Sequence, residues 1–126
     1  YPKISNKLIL GAKKVLINNK INNYKKIEVP GIFEVPVVIA RNIDNYDAFI
    51  ALGCVIKGMT PHFNFISYAA TNAIMHLSIT NKKPIGNGII TCLNIKQAIE
   101  RSNPLKKNKG GEATKAVLGV LGRLIK

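Results

Sequence analysis

Two apolar runs of strand length, each followed by a segment of helical periodicity, restrict the fold more than any other feature of the chain. Residues 47–57 read DAFIALGCVIK and residues 84–93 read PIGNGIITCL. Near-continuous apolar strands are typical of a parallel sheet covered on both faces. Helices are predicted at residues 5–19, 33–42, 62–80, 94–102 and 110–126, and a further short strand at residues 26–29. This alternation predicts an α/β fold with right-handed crossovers.

The chain has the length of one domain, and residues 1–126 are interpreted as a single domain. The first predicted element is a helix, whereas a parallel sheet of this kind normally begins with a strand. We therefore expect a first strand upstream of Tyr1. No apolar stretch approaches the ~18 residues of a membrane-spanning helix, so no membrane partner is expected.

The formal net charge of +13 raises the question of a nucleic-acid partner, because clustered basic residues bind phosphate backbones. Only three of the 19 cationic residues are arginines, and the lysines are scattered along the chain. This pattern favours a solvated surface, so no nucleic acid is expected as the main partner. A basic nucleic-acid-binding module is kept as an alternative. A small anionic ligand gains from the same electrostatic field.

The two cysteines, Cys54 and Cys92, lie in the two apolar runs, without CxxC or metal-ligand spacing. They are interpreted as buried free thiols of a reducing compartment. No metal site and no cofactor are predicted.

The turn after the first apolar run is the strongest candidate for a functional site, because ligands of open α/β sheets bind beyond the carboxyl ends of the strands. Gly58, Met59 and Thr60 follow that run, and His62 opens the next helix. The three backbone amides, with the Thr60 hydroxyl, would form an anion cradle. An imidazole transfers protons near neutral pH. A plain turn at Gly58 and a capping histidine are the structural alternatives.

Two further groups carry suitable chemistry. Gly31, Ile32, Phe33 and Glu34 follow Pro30 at a strand end, where backbone amides could bind the carbonyls of a heterocycle and a carboxylate could accept from a polyol. A Glu at a helix start is equally a partner of the helix dipole. Arg101 lies near a helix end, and its planar fork suits a phosphate, although a solvated arginine is the alternative.

Two nucleotide-binding motifs are incomplete in this chain. GCVIKGMT at residues 53–60 approaches the phosphate-binding loop G-x4-G-K-[ST], but Met59 occupies the lysine position. Gly86 and Gly88 begin a GxGxxG pattern whose last position is Thr91. Both nucleotide interpretations are therefore rejected.

Five segments occur in an order that resembles the lumazine synthase family of riboflavin biosynthesis. They are PGIFEVP (30–36), ALGCVIKGMTPHF (51–63), GNGIIT (86–91), QAIER (97–101) and NKGGEA (108–113). The likeness covers essentially the whole chain. It implies a three-layer α/β/α sandwich with a four-stranded parallel sheet in flavodoxin-like order, the first strand lying largely upstream of Tyr1.

The resemblance also implies a reaction and the residues that serve it. A cytoplasmic transferase would condense 5-amino-6-(ribitylamino)pyrimidinedione with 3,4-dihydroxy-2-butanone 4-phosphate, releasing phosphate and water and forming a flavin precursor. His62 would be the catalytic proton shuttle. The phosphate-binding residues would be Gly58, Met59, Thr60 and Arg101. The substrate-binding residues would be Gly31, Ile32, Phe33, Glu34, Cys54, Val55, Ile56, Asn87 and Lys109.

The family assembles into homopentamers or icosahedral capsids of sixty subunits, with sites between neighbouring subunits. It places Arg101 and residues 86–88 on the neighbour of the subunit that supplies His62, and riboflavin synthase is an expected further partner. Asn87 stands where many members have Phe, and the family's stacking aromatic falls immediately before Tyr1. A catalytically inactive scaffold or capsid protein is the second alternative to the enzyme.

Overall fold

The computed structural model describes residues 1–59 and 62–125, so Thr60, Pro61 and Lys126 lie outside the described residues. The helices are α1 (Pro2–Asn18), α2 (Val35–Arg41), α3 (Phe63–Asn81), α4 (Ile95–Ser102) and α5 (Lys109–Leu121). The strands are β1 (Phe49–Ile56) and β2 (Ile85–Cys92), and a 3₁₀ helix (Ile32–Glu34) precedes α2. Within the described ranges, no helix is both long enough and apolar enough to cross a bilayer.

β1 and β2 pair in parallel along their whole length, from Phe49 opposite Ile85 to Ile56 opposite Cys92. The connection between them is α3, as parallel neighbours require a crossover. Both strands therefore end at one edge, which we call the carboxyl edge. The predicted α/β class and the parallel sheet are confirmed, and the turns that follow the two strands lie side by side.

The described residues form two strands instead of the expected four. The strand predicted at residues 26–29 is not formed, and residues 21–29 contain neither helix nor strand. A strand needs a neighbour for its hydrogen-bond ladder. Residues 26–29 have no such neighbour among the described residues.

The last helix is shorter than predicted because a glycine ends it. α5 stops at Leu121, and Gly122 adopts a left-handed conformation with φ of 71°. The next residue, Arg123, donates its backbone N–H to the carbonyl of Leu118 at 2.8 Å. This closes the helix end in the manner of a glycine cap.

Helices cover both faces of the sheet, and each face has its own hydrophobic core. The core on one face joins α1 and α4 to alternate strand residues: Ile4, Leu8, Ile56, Ile90, Cys92 and Ala98. The core on the other face joins α2 and α3 to Ala51 of β1, which points to that side of the sheet. Its buried residues are Val35, Ile39, Ala51 and Ile74. Because successive strand residues point to opposite faces, one short apolar strand contributes to both cores. This explains the absence of a polar alternation in β1.

Gly110 allows α5 to approach α1 closely, and we expect Gly110→Ala to destabilise the fold. A Cβ at this position would overlap the backbone carbonyl oxygen of Leu8, which cannot rotate away. The free energy of unfolding, measured by urea denaturation, should fall by about 1–3 kcal/mol.

Gly119→Ala on the same helix is the matched control. Its Cβ would meet the Leu124 side chain at 3.6 Å, an ordinary contact. Since alanine is the better helix former, this variant should gain about 0.4–1 kcal/mol. Equal stabilities of the two variants would contradict the close approach of α1 and α5.

Candidate active site

A cavity of about 310 Å³ opens at the carboxyl edge of the sheet. Its walls come from segments far apart in sequence: the 3₁₀ helix, the last three residues of β1 and the first turn of α3. The lining residues are Tyr1, Gly31, Ile32, Phe33, Glu34, Cys54, Val55, Ile56 and Ile66. The volume lies within the range of small-molecule sites, and most of the lining is apolar with one carboxylate.

The 3₁₀ helix forms one wall because Gly53 leaves room for it over the strand. A Cβ on Gly53 would overlap the end of the Ile32 side chain. Ile32 therefore packs directly on the backbone of β1, while Phe33 next to it is 68% exposed. The Glu34 backbone N–H donates to the carbonyl of Gly31 at 3.2 Å, which closes the turn and holds Glu34 beside the cavity.

The turn after β1 extends the carboxyl edge beyond the sheet. The Met59 N–H donates to the carbonyl of Ile56 at 3.2 Å, and Lys57 continues the ladder by donating to the carbonyl of Cys92 at 2.8 Å. Gly58 lies in the left-handed region with φ of 84° and open space around it. Met59 is exposed. Thr60, the third residue of the predicted anion cradle, lies outside the described residues.

His62 occupies the N-cap position of α3 and is exposed. Its carbonyl accepts from the N–H of Ile66 at 2.8 Å, and Ile66 lines the cavity. The histidine thus lies one helical turn before a cavity wall. Sequence reasoning missed Ile66, although its position four residues after His62 on a predicted helix could have indicated it.

Arg101 lies at the carboxyl end of β2. Its Nη1 donates to the backbone carbonyl of Thr91 at 2.9 Å and lies 3.9 Å from Sγ of Cys92, a weak hydrogen-bond contact. A guanidinium has five donors, so these contacts leave capacity for an anion. Arg101 and the Gly58 turn therefore follow the ends of two adjacent strands.

The start of α4 is fixed by two reciprocal hydrogen bonds. Oδ1 of Asn94 accepts from the N–H of Gln97 at 2.9 Å, and Oε1 of Gln97 accepts from the N–H of Leu93 at 2.8 Å. This is close to a capping box, with Asn94 as the N-cap of the helix predicted at residues 94–102. Arg101 is one turn after Gln97, and since helical side chains lean towards the N-terminus of the helix, its guanidinium reaches back to Thr91 of β2.

Asn87 and Lys109 do not line the cavity of this chain. Asn87 is the third residue of β2 and precedes Cys92 by five residues, or about 16 Å along the strand. Its Oδ1 accepts from the N–H of Ile89 at 3.1 Å. Lys109 begins α5, with Nζ 3.3 Å from Oε2 of Glu112. The other seven predicted substrate-binding residues share the cavity.

Burial raises the pKa of the Cys54 thiol from 9.0 to about 12, and the neighbouring Cys92 thiol adds to the rise. Cys54 therefore stays protonated at neutral pH and forms a neutral part of the cavity wall. Both cysteines are free thiols, as the sequence predicts, but only Cys92 is buried and Cys54 is partly exposed to the cavity.

We expect Cys54 to resist alkylation in the folded chain because only the thiolate is a good nucleophile. At pH 8.5 iodoacetamide should modify Cys54 at least about tenfold more slowly in the native protein than in urea, as followed by peptide mass spectrometry. Since the pKa is higher in the folded state, its contribution to stability is complete below pH 9 and is lost as the pH rises towards 12. Equal alkylation rates would contradict the raised pKa of the partly buried Cys54 thiol.

Taken together, the crossover connection, the parallel sheet and the cavity at its carboxyl edge define an α/β protein with a small-molecule site. A family model described as 6,7-dimethyl-8-ribityllumazine synthase matches residues 1–124. The chain belongs to this family, whose members are transferases of riboflavin biosynthesis. The resemblance inferred from the five sequence segments is confirmed.

Individual relatives with the same description support this assignment. The protein of Bartonella tribocorum is 43% identical, over 94% of this chain and 80% of the relative. That of Renibacterium salmoninarum is 39% identical, over 94% of this chain and 79% of the relative. The Buchnera aphidicola (subsp. Baizongia pistaciae) protein is 42% identical, over 94% of this chain and 77% of the relative.

Proposed function

We propose that this chain condenses 5-amino-6-(ribitylamino)pyrimidinedione with 3,4-dihydroxy-2-butanone 4-phosphate. The products are 6,7-dimethyl-8-ribityllumazine, one phosphate and two waters. The observation that carries the proposal is that seven residues, assigned to the substrate by resemblance, line one cavity at the carboxyl edge. Membership of the lumazine synthase family supplies the reaction.

The proposed place of the pyrimidinedione is the edge cavity. Ile32 and Val55 offer apolar walls to a planar ring, and backbone amides of the 3₁₀ segment can donate to its carbonyls. The Glu34 carboxylate can accept hydrogen bonds from the ribityl hydroxyls. A neutral Cys54 thiol adds no charge next to the ring.

The proposed phosphate site combines the turn at Gly58 and Met59 with Thr60 and the guanidinium of Arg101. Backbone N–H groups of a turn and a bidentate arginine are both suited to a phosphate. We infer that the arginine comes from a neighbouring subunit, as the family resemblance implies. Asn87 and Lys109, which lie away from the cavity of their own chain, would then belong to an interface.

An apolar stripe on α3 supports assembly into a homopentamer, alone or as part of a sixty-subunit capsid. Phe65, Tyr68, Met75 and Ile79 lie on one side of this helix and are exposed, Phe65 by 75%. The opposite side carries the buried Ala70 and Ile74. A helix that is apolar on both sides is typical of one buried between two partners. The four-stranded sheet stays part of this proposal.

The chemistry requires positioning and proton transfer, with no nucleophile from the protein. The substrate amine attacks the ketone carbonyl and loses water to form an imine. Proton removal and loss of phosphate then give an enol, and ring closure by the second amine releases the second water. His62 would move the protons. Positioning can supply about 7–11 kcal/mol of the barrier, and acid–base catalysis about 10²–10⁴-fold.

We expect His62→Ala to lower kcat by about 10²–10⁴-fold and to leave a measurable rate. The assay mixes both substrates with the full-length protein and follows lumazine absorbance together with phosphate release. The control is His76→Ala, which removes an exposed histidine within α3 and should retain the parental rate. Complete loss of activity in an assembled His62→Ala protein would contradict the role given to positioning.

We expect Arg101→Ala to raise the KM of the butanone phosphate about 10- to 100-fold, since hydrogen bonds between charged groups contribute about 1.5–3 kcal/mol. Its effect on the KM of the pyrimidinedione should be small. The control is Arg41→Ala, which removes an exposed arginine at the end of α2. An unchanged KM in Arg101→Ala would remove this residue from the phosphate site.

The same assay tests the alternative of a scaffold or capsid protein. Correctly assembled protein that forms neither lumazine nor phosphate would support that alternative against the enzyme. The cytoplasmic location and the association with riboflavin synthase stay predictions. The second would be observed as co-elution of the two purified proteins.

A further inference from the structure

The two helical layers of the molecule differ sharply in charge. α1 contains four lysines and no acidic residue in 17 residues. α3, which is two residues longer and lies on the opposite face of the sheet, contains no Lys, Arg, Asp or Glu. The lysines that are scattered along the sequence are therefore segregated in the folded chain.

The imbalance extends over the whole layer that contains α1. We use the term basic layer for α1, α4 and α5 together with residues 103–108 and 122–125. It contains eleven cationic residues and two acidic ones, so it carries +9 of the net charge of +13. One of its acidic residues, Glu112, is paired with Lys109 in the same layer.

The lysines of α1 form a line on its solvent side. Lys3, Lys7 and Lys14 are all exposed. Spacings of four and seven residues place them on one side of the helix, over about 16 Å of its axis. The ion pairs among the described residues involve Lys26 with Glu28 and Lys109 with Glu112, and none involves α1.

A lysine-rich composition alone does not account for this segregation. Compositional bias would place lysines on every exposed helical surface. Most positions of α3 are at least partly exposed, yet its polar positions carry Asn, Ser, Thr and His. The difference between α1 and α3 therefore reflects what each face contacts.

We propose that the basic layer binds the phosphate backbone of nucleic acid, as a second activity separate from the edge cavity. A line of lysines along an exposed helix, none of which lines the edge cavity, suits an extended polyanion better than a small ligand. Lysines act as point charges and neutralise phosphates without reading bases. Binding should be independent of sequence and should weaken steeply with salt. The sequence alone favours no nucleic acid as the main partner because the lysines are scattered along the chain, whereas in the folded chain most of the net charge lies in one layer.

The test compares two triple variants of the full chain that lose the same charge. Lys3→Gln/Lys7→Gln/Lys14→Gln neutralises the line on α1, and glutamine retains helix propensity. Lys25→Gln/Arg41→Gln/Lys82→Gln removes three exposed cations outside the basic layer. Binding of a fluorescent 30-nucleotide single strand and of the matching duplex is measured by anisotropy between 50 and 200 mM salt. Circular dichroism verifies that both variants fold.

The α1 variant should bind at least about tenfold more weakly at 100 mM salt. The slope of log K against log salt should fall by about 2–3 for loss of three phosphate contacts, and by less than one in the control variant. Lumazine formation should be unchanged in the α1 variant, because none of its three positions lines the cavity.

Three results would overturn the proposal: no binding of either oligonucleotide by the parent protein at 100 mM salt, equal losses in the two variants, or tighter binding to phosphatidylserine vesicles than to nucleic acid. The second would show a dependence on net charge alone. The third would assign the basic layer to an anionic membrane surface.

Discussion

The parallel register of β1 and β2 is the constraint on which the candidate site depends. Because Ile56 lies opposite Cys92, the two strands end level with each other, and the segments that follow them begin at the same edge. One segment turns through Gly58 towards His62, and the other begins α4 and presents Arg101. A shift of one residue in the pairing would also exchange the two faces of β1 and mismatch both cores.

Most of this arrangement could be predicted from the sequence, since it depends on local signals. Buried strands read as continuous apolar runs, and Asn94 followed by Gln97 is a recognisable helix start. The cluster at Gly31 to Glu34 was predicted at the end of a strand at residues 26–29 that is not formed, and it lies instead beside the carboxyl end of β1. Its contact with β1 depends on Gly53 having no side chain, a detail of packing that no periodicity reports.

What the sequence did not predict has physical causes of the opposite kind, because it concerns partners and not propensities. Residues 26–29 have the composition of a strand, but a ladder needs a neighbour, and none is present among the described residues. Asn87, assigned to the substrate by resemblance, lies about 16 Å along β2 from the carboxyl edge of its own chain, and its place in the site of a neighbouring subunit stays a prediction. The concentration of charge in one layer also depends on the fold, because the packing of α4 and α5 beside α1 brings their cationic residues together.

The unequal charge of the two helical layers also bears on how copies of the chain meet. Two molecules that approach through their basic layers repel each other, because each layer carries +9. Two molecules that approach through α3 do not repel in this way, because α3 contains no charged residue. Repulsion over a Debye length of about 8–10 Å acts before any contact forms. Encounters are therefore biased in orientation, and two molecules come into contact most readily through the uncharged apolar stripe of α3.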